Sequence, residues 1–198
     1  SELGASVSRI GSTVYIDTAE LEYKEISDDK LSQIRASSYL IGASLVRFGR
    51  CRLSAVGGCN FSHRPIDYHI GAAKALGARI DGDLIVCDAL RASAIHLPGA
   101  SVGATVNSLI MASGIDGVTE IYNYAREPHV LALSEYLTAA GASISFERDR
   151  ITVRGGDLVG ADTRVIGDMI EAGTYLSAGI ITGGEVTVRG VNLSDMSA

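Results

Sequence analysis

Three side chains that could do polar chemistry lie close together in one stretch of the sequence, AVGGCNFSHRPIDYHI at residues 55–70. The thiol of Cys59 follows two glycines, the guanidinium of Arg64 comes five residues later, and the carboxylate of Asp67 follows shortly after. A thiol near a cation has a lowered pKa and can exchange protons or attack an electrophile near neutral pH. Two interpretations are open: a surface turn, or a lid that carries chemistry.

The other cysteines, Cys51 and Cys87, lie in strand patterns. A free thiol in such a place usually acts as a small buried apolar side chain, and we interpret both in that way. Three cysteines without a C-x-x-C spacing favour neither a disulfide framework nor a zinc site. The four histidines share no metal-ligand spacing, so we expect no metal, and we expect no cofactor.

Two further features could bind an anion. Arg35 opens a helical pattern that carries no other charge before Arg47, and a guanidinium can make paired hydrogen bonds to phosphate or carboxylate. The segment ASVGAT at residues 100–105 is typical of a helix start, where free backbone amides suit a diphosphate. The amides concerned belong to Ser101, Val102 and Gly103.

Composition limits the class of protein. The chain has 198 residues, 46% of them hydrophobic and 20% charged, which is ordinary globular composition. A formal charge of −6 argues against a general nucleic-acid binder, which needs a basic surface. The sequence contains no apolar run long enough to span a bilayer and starts without a signal-like pattern, so we expect a cytoplasmic protein without membrane contact.

An internal repeat organises the chain. One half-unit is a helix end closed by Gly-Ala and followed by two alternating runs, which predicts a β-hairpin. It occurs at residues 3–17, 76–88 and 140–155. The other half-unit is a helix rich in small residues, a glycine turn and a β-branched strand, and it occurs at residues 35–58, 101–125 and 170–191.

Together the half-units predict an α/β domain of a few large units around one axis. Helices rich in Ala, Ser and Gly are expected inside, with the sheets outside. The first unit lacks its helix-strand half before residue 3, and one surplus half follows Ile166. We therefore expect the segment after Ile166 to fill the vacant place, within one chain or by exchange in a swapped homodimer.

Several motifs in order carry a family resemblance: IRASSYLIGASLVRFG, GGC followed by RPID, SVGAT, AREP and DMIEAGTYL. The chain resembles the UDP-N-acetylglucosamine enolpyruvyl transferases over essentially its whole length, but it amounts to about half of such an enzyme. The resemblance implies inside-out α/β barrel domains of three β-α-β-α-β-β units with helices inside and sheets outside. In that frame residues 1–166 are the lid-bearing domain without the start of its first unit. Residues 167–198 are the first element of a partner domain that is otherwise missing.

The resemblance also implies a reaction, the transfer of an enolpyruvyl group from phosphoenolpyruvate to the 3-hydroxyl of UDP-N-acetylglucosamine. This is the first committed step of peptidoglycan synthesis, hence of cell-wall biogenesis. Cys59 matches the proton donor, and Arg35 and Arg64 match the substrate clamp. Ser101, Val102 and Gly103 are expected at the diphosphate. The segment expected at the uridine comprises Arg64, Pro65, Ile66, Asp67 and Tyr68.

The loop around Cys59 departs from the family pattern. Phe61 and Ser62 stand where the family has Ile-Gly, and losing that glycine stiffens the loop. The acceptor could therefore be another nucleotide, as in secondary metabolism, or the chain could be a non-catalytic nucleotide-binding paralogue. Alone, the 198-residue chain is expected to lack turnover, because the partner domain supplies other catalytic groups.

Some charged residues are interpreted as structural. Arg126 and Glu127 lie at a strand-to-helix junction, and Asp168 and Glu171 at the start of a helix, where acids are expected. Asp67 also fits a first-turn carboxylate, which is compatible with contact to a ligand.

Overall fold

The structure is a computed structural model that describes residues 3–26, 28–52, 57 and 66–196. Its nine strands form three sheets. The first is the hairpin of β1 (Ser6–Ile10) and β2 (Thr13–Asp17). The second has the order β3 (Arg50–Arg52), β5 (Leu84–Val86), β4 (Arg79–Asp81). The third has the order β6 (Ala94–His96), β7 (Gly117–Tyr122), β9 (Arg150–Gly155), β8 (Ser143–Phe146).

Six helices and two 3-10 turns complete the described chain. The first is the short α1 (Asp28–Leu31), and a 3-10 turn (Arg35–Tyr39) then runs directly into α2 (Leu40–Phe48). The helices α3 (Asp67–Ala75), α4 (Val102–Ser113) and α5 (Pro128–Ala139) follow. The last elements are α6 (Met169–Thr182) and a 3-10 turn (Leu193–Met196).

All three predicted hairpins form. In the first two, the turn contains a glycine with positive φ, Gly11 at 61° and Gly82 at 61°, a conformation that a residue with a Cβ rarely adopts. Strands β8 and β9 pair antiparallel in the third. The last repeat unit is complete, since β6, α4, β7, α5, β8 and β9 follow one another as strand, helix, strand, helix, strand, strand. The predicted α/β fold of β-α-β-α-β-β units is confirmed.

Helix α4 is the centre of the core. It packs against α2, α3 and α5 and, on another side, directly against strands β7 and β9 of the third sheet. Nine of its residues are buried, including Leu109 and Met111, but also the polar Asn107 and Ser108. Its small residues allow the neighbouring helices to approach closely. The prediction of helices inside and sheets outside is therefore confirmed.

The end of the chain differs from prediction in one respect. Helix α6 is capped as expected, because Asp168 Oδ1 accepts hydrogen bonds from the amides of Ile170 (2.8 Å) and Glu171 (3.0 Å). The prediction of a strand after α6 was wrong, since residues 184–189 pair with no strand among the described residues. A strand requires a neighbour to satisfy its amides and carbonyls, and no described strand lies beside this segment.

Helix α6 also leaves much apolar surface open. Ile180 is 81% and Ile181 84% exposed, and α6 packs against the 3-10 turn Leu193–Met196. The β1–β2 hairpin is likewise exposed along both strands. The structure does not show α6 covering that hairpin within the chain. None of the helices in the described ranges is both long and apolar enough to cross a membrane.

Candidate active-site cleft

The 3-10 turn that begins with Arg35 forms one wall of the candidate site. Ile34 is extended (φ −135°, ψ 142°), and its carbonyl accepts hydrogen bonds from the Ser37 hydroxyl (2.8 Å) and amide (3.3 Å). The turn closes tightly after an extended residue and presents a half-buried Arg35 at its start. The guanidinium therefore belongs to an ordered element next to the central helix.

The first turn of α4 forms the opposite wall. Ser101 is its N-cap: the Ser101 hydroxyl accepts from the Ala104 amide (3.4 Å), and the Ser101 carbonyl accepts from the Thr105 amide (2.9 Å). The preceding amides, of Val102 and Gly103, have no acceptor within the helix. No acidic residue occupies this turn, so the positive end of the helix dipole is not neutralised there by the helix itself.

Asn107 holds the two walls together. Its side-chain amide donates to the carbonyls of Ser38 (3.2 Å) and Gly103 (3.0 Å), and its Oδ1 accepts from the Gly42 amide (2.7 Å). The side chain is fully buried, and the three hydrogen bonds use its side-chain NH2 group twice and its carbonyl oxygen once. The spacing between the turn that carries Arg35 and the helix that offers the free amides is therefore fixed.

Between these walls lies an open cleft of ≈470 Å³, a size suited to a small-molecule ligand. Five of the predicted binding residues line it, together with three residues that sequence reasoning did not select. The predicted ones are Arg35, Tyr68, Ser101, Val102 and Gly103. The additional ones are Ser38, Tyr39 and His69. The described lining contains a guanidinium and free amides but no carboxylate, so the cleft is suited to an anion.

Other predicted residues lie elsewhere. Ile66 precedes α3 and lines a separate small cavity, and Asp67 is an exposed residue in the first turn of α3. Neither lines the cleft. Cys59, Arg64 and Pro65 lie outside the described residues, so their roles stay predictions.

His69 is the most unusual residue of the cleft. It is 2% exposed, and neither ring nitrogen has a hydrogen-bond partner among the described residues. The pKa of the ring is lowered to about 4, first by burial and second by the positive charge of Arg35, while the backbone of Ile66 acts in the opposite direction. The ring is therefore uncharged at neutral pH.

A sequence signal for the burial of His69 exists. His69 is followed at helical spacing by the buried Ala72 and Ala73 of α3 and by the buried Leu76 directly after the helix. That periodicity predicts a buried histidine. It does not reveal that the ring reaches the first turn of α4, since this depends on a contact with a residue far along the chain.

The two thiols that the structure describes behave as predicted. Cys51 and Cys87 are both buried and form no disulfide. Burial raises the pKa of Cys51 to about 11, so this thiol is protonated and unreactive at neutral pH. The structural interpretation of Arg126 also fits, because its guanidinium donates to the Arg148 carbonyl and lies 5.0 Å from the centre of the Tyr124 ring.

The fold is an α/β domain of the enolpyruvyl-transferase type, and a cleft suited to an anion lies at its central helix. The model of the EPSP synthase family, described as 3-phosphoshikimate 1-carboxyvinyltransferase, matches residues 1–198. The chain belongs to the EPSP synthase family.

Relatives within the family carry the name UDP-N-acetylglucosamine 1-carboxyvinyltransferase. One, from Wolbachia pipientis subsp. Culex pipiens (strain wPip), is 42% identical over 190 residues, which cover 93% of this chain and 45% of the relative. Another, from Halothermothrix orenii, is 40% identical over 196 residues, which cover 96% of this chain and 47% of the relative. The predicted family resemblance is confirmed. The chain spans about half the length of the curated relatives it matches.

Solved structures show the same fold. The enolpyruvyl transferase NikO from Streptomyces tendae superposes with a TM-score of 0.73 at 24% identity, covering 89% of this chain and 44% of that one. An EPSP synthase from Acinetobacter baumannii gives a TM-score of 0.65 at 18% identity, covering 97% of this chain and 46% of that one.

Proposed function

We propose that the chain is the nucleotide-binding part of an enzyme that transfers the enolpyruvyl group from phosphoenolpyruvate to the 3-hydroxyl of UDP-N-acetylglucosamine. One observation carries the proposal. The cleft brings Arg35 together with the free amides of Val102 and Gly103, although these residues are far apart in the sequence. A guanidinium opposite a helix start is a suitable pair of groups for a diphosphate.

Each group then has a part in the reaction. Arg35 and the first turn of α4 bind phosphate oxygens and hold the sugar nucleotide in place. The exposed ring of Tyr68, which lines the same cleft, contacts the nucleoside end. Cys59 donates the proton to the methylene carbon of phosphoenolpyruvate, with Arg64 close by in sequence as the cation that would lower its pKa. The proposed setting is the cytoplasm, at the committed step of peptidoglycan synthesis.

A binding measurement tests the first part of this proposal. We expect calorimetric titration of the 198-residue chain with UDP-N-acetylglucosamine to show one site. Replacing Arg35 by Gln should weaken binding about 10-fold to 100-fold, because a hydrogen bond to a charged group contributes ~1.5–3 kcal/mol. Arg79→Gln is the matched control, since Arg79 is exposed on β4 and pairs with Asp88 at 3.4 Å. Equal loss in both variants, or no binding by the unaltered chain, would contradict the proposal.

The acceptor deserves a separate comparison because Phe61 and Ser62 depart from the family pattern. Titrations with UDP-N-acetylglucosamine, UDP-glucose and UMP should favour the first ligand. Tighter binding of another nucleotide would support a transferase of secondary metabolism. Binding without turnover by the complete polypeptide would support a non-catalytic paralogue.

We also propose two units, residues 1–166 and 167–198, the second belonging with a partner domain. The exposed apolar surfaces of α6 and of the β1–β2 hairpin support this, because both need a cover. These surfaces are buried by the rest of a longer polypeptide or, in this chain alone, by a second copy that exchanges the segment in a swapped homodimer. Light scattering coupled to size exclusion should show a dimer that deletion of residues 167–198 makes monomeric. A monomer before and after deletion would exclude exchange.

A further inference from the structure

The loop at residues 123–126, between β7 and α5, contains the start of the AREP motif and has no part in the reaction described above. Each of its four residues makes a hydrogen bond to a part of the chain 20 to 26 positions away in the sequence. A connection between a strand and a helix does not require such bonds, because a surface loop can satisfy its backbone groups with water. The bonding therefore indicates a further role for this loop.

Two residues of the loop hold the segment that leads into α4. The side-chain amide of Asn123 donates to the Leu97 carbonyl (2.8 Å), and the backbone amide of Ala125 donates to the Thr105 hydroxyl (3.0 Å). That hydroxyl in turn donates to the Ser101 carbonyl (2.8 Å). Leu97 and Thr105 lie at the two ends of a segment that contains the free amides of the first turn, so the loop holds this segment at both ends.

The other two residues attach the loop to the third sheet. The Tyr124 hydroxyl donates to the Glu147 carbonyl (2.6 Å), and the Arg126 guanidinium donates to the Arg148 carbonyl. Both carbonyls belong to the turn between β8 and β9. Because Tyr124 is buried and Arg126 lies over its ring, the loop is fixed to the sheet on one side while it holds the start of α4 on the other.

Asn123 has an unusual backbone conformation. Its φ of 58° makes it the one non-glycine residue with positive φ in the part of the chain that the structure describes. This left-handed conformation is costly for most residues, and asparagine is one of the few that tolerate it. Strained residues of this kind are kept where the surroundings require them, and they cluster at functional sites. Here the conformation accompanies the hydrogen bond to Leu97, next to the entry into α4.

Thr105 differs from an ordinary helical threonine. A threonine hydroxyl inside a helix commonly donates to the carbonyl four residues earlier, as Thr174 of α6 does toward Ile170 at 2.8 Å. Thr105 makes the same bond to Ser101, but it is fully buried and also accepts from the amide of Ala125. Removal of its hydroxyl would therefore leave a buried backbone amide without this acceptor and release the start of α4 from the loop.

We propose that the loop at residues 123–126 fixes the first turn of α4 in the position that binds the substrate, with Asn123 and Thr105 as positioning residues for the reaction. This inference rests on the proposed function of the site. Neither side chain is among those that line the cleft, so both act through the backbone of residues 97–105. A first turn that is ordered before the ligand arrives loses less conformational freedom on binding, which increases affinity.

Two variants of Thr105 separate the hydroxyl from the volume of the side chain. In calorimetric titrations with UDP-N-acetylglucosamine, Thr105→Val keeps the volume and should bind about 10-fold more weakly, whereas Thr105→Ser keeps the hydroxyl and should bind within about 3-fold of the unaltered chain. Thr174→Val is the matched control, because it removes the same intrahelical bond on α6, which does not line the cleft, and should leave the affinity unchanged. Equal affinities of the Thr105→Val and Thr105→Ser variants would overturn the proposal.

A change at Asn123 tests the loop without altering the core. Glycine adopts positive φ without strain, so Asn123→Gly removes the hydrogen bond to Leu97 and keeps the backbone conformation. It should weaken binding about 3-fold to 10-fold while circular dichroism shows a folded chain. Asn192→Gly is the matched control, because the exposed Asn192 side chain accepts only from the nearby Ser194 amide among the printed hydrogen bonds of the described chain. An affinity of Asn123→Gly as high as that of the control would contradict the role of Asn123.

Inorganic pyrophosphate distinguishes failure of this inference from failure of the proposed function. NMR follows the amides of Val102 and Gly103 while pyrophosphate is titrated into the unaltered chain and into Thr105→Val. Shifts that require about 10-fold more pyrophosphate in the variant support the positioning role. The same titration midpoint in both overturns that role and leaves the anion site intact. No shift in the unaltered chain, with no binding of the nucleotide, overturns the proposed function and this inference together.

Discussion

Replacing Gly103 by alanine tests the contact on which the cleft depends. The new Cβ would lie 2.5 Å from His69 Nε2 and 3.2 Å from its Cε1, whereas ordinary contacts begin near 3.4 Å. The buried ring must therefore move by roughly 1 Å, and overpacking of this kind costs ~1–3 kcal/mol. Alanine returns up to about 1 kcal/mol through its better helix propensity. We expect a net loss of about 1–2 kcal/mol in the free energy of unfolding.

A double-mutant cycle isolates the steric term. In a His69→Ala background the ring is absent, so Gly103→Ala should be neutral or stabilising by up to ~1 kcal/mol, which gives a coupling energy of about 1–3 kcal/mol. Gly71→Ala is the matched control, because Gly71 is exposed on α3 and a Cβ there meets nothing within 4 Å. Urea unfolding followed by circular dichroism measures all variants. Stabilisation by Gly103→Ala equal to that by Gly71→Ala in both backgrounds would refute the reasoning.

Three further outcomes are expected. First, His69 binds a proton below about pH 6.5 in the unfolded state but only below about pH 4 in the folded state, so the free energy of unfolding should decrease as the pH is lowered from about 6.5 to about 4. His69→Gln should reduce this dependence in urea titrations at several pH values. Second, Asn107→Ala should lower the free energy of unfolding by about 2–4 kcal/mol in urea titrations, because three buried hydrogen bonds are lost, and a loss below ~0.5 kcal/mol would contradict this. Third, iodoacetamide should label Cys59 before Cys51 or Cys87 in peptide mapping, and earlier labelling of either buried thiol would contradict the assignment.

The sequence predicted those parts of the fold that repeat. Glycine-closed helix ends followed by alternating runs are local signals, and all three hairpins form where they occur. The strand expected after α6 has the same local signal but does not form, because a strand also needs a neighbour that the local pattern cannot supply. Local pattern thus predicts an element only where its partner is present.

Some residues of the candidate site could be predicted from the sequence, and one could not. Arg35 and the start of α4 could be selected from their residue types and positions, and the structure places them on one cleft. His69 was not selected, because its burial, its lowered pKa and its contact with Gly103 arise from the packing of α3 against α4. A histidine on the apolar face of a helix does not by itself indicate a binding site.

The bridge made by Asn107 has a consequence for how this family can diverge. A Cβ at Gly42 would lie 3.0 Å from both the backbone oxygen and Oδ1 of Asn107, so a side chain at residue 42 would crowd the acceptor of its own amide. A change at either position alone removes a buried hydrogen bond or creates a clash. The two positions are therefore expected to change together along a lineage or to stay fixed. A paired glycine and asparagine at these sites should mark the homologues in which both walls of the cleft keep this spacing, even where the loop around Cys59 has drifted toward another substrate.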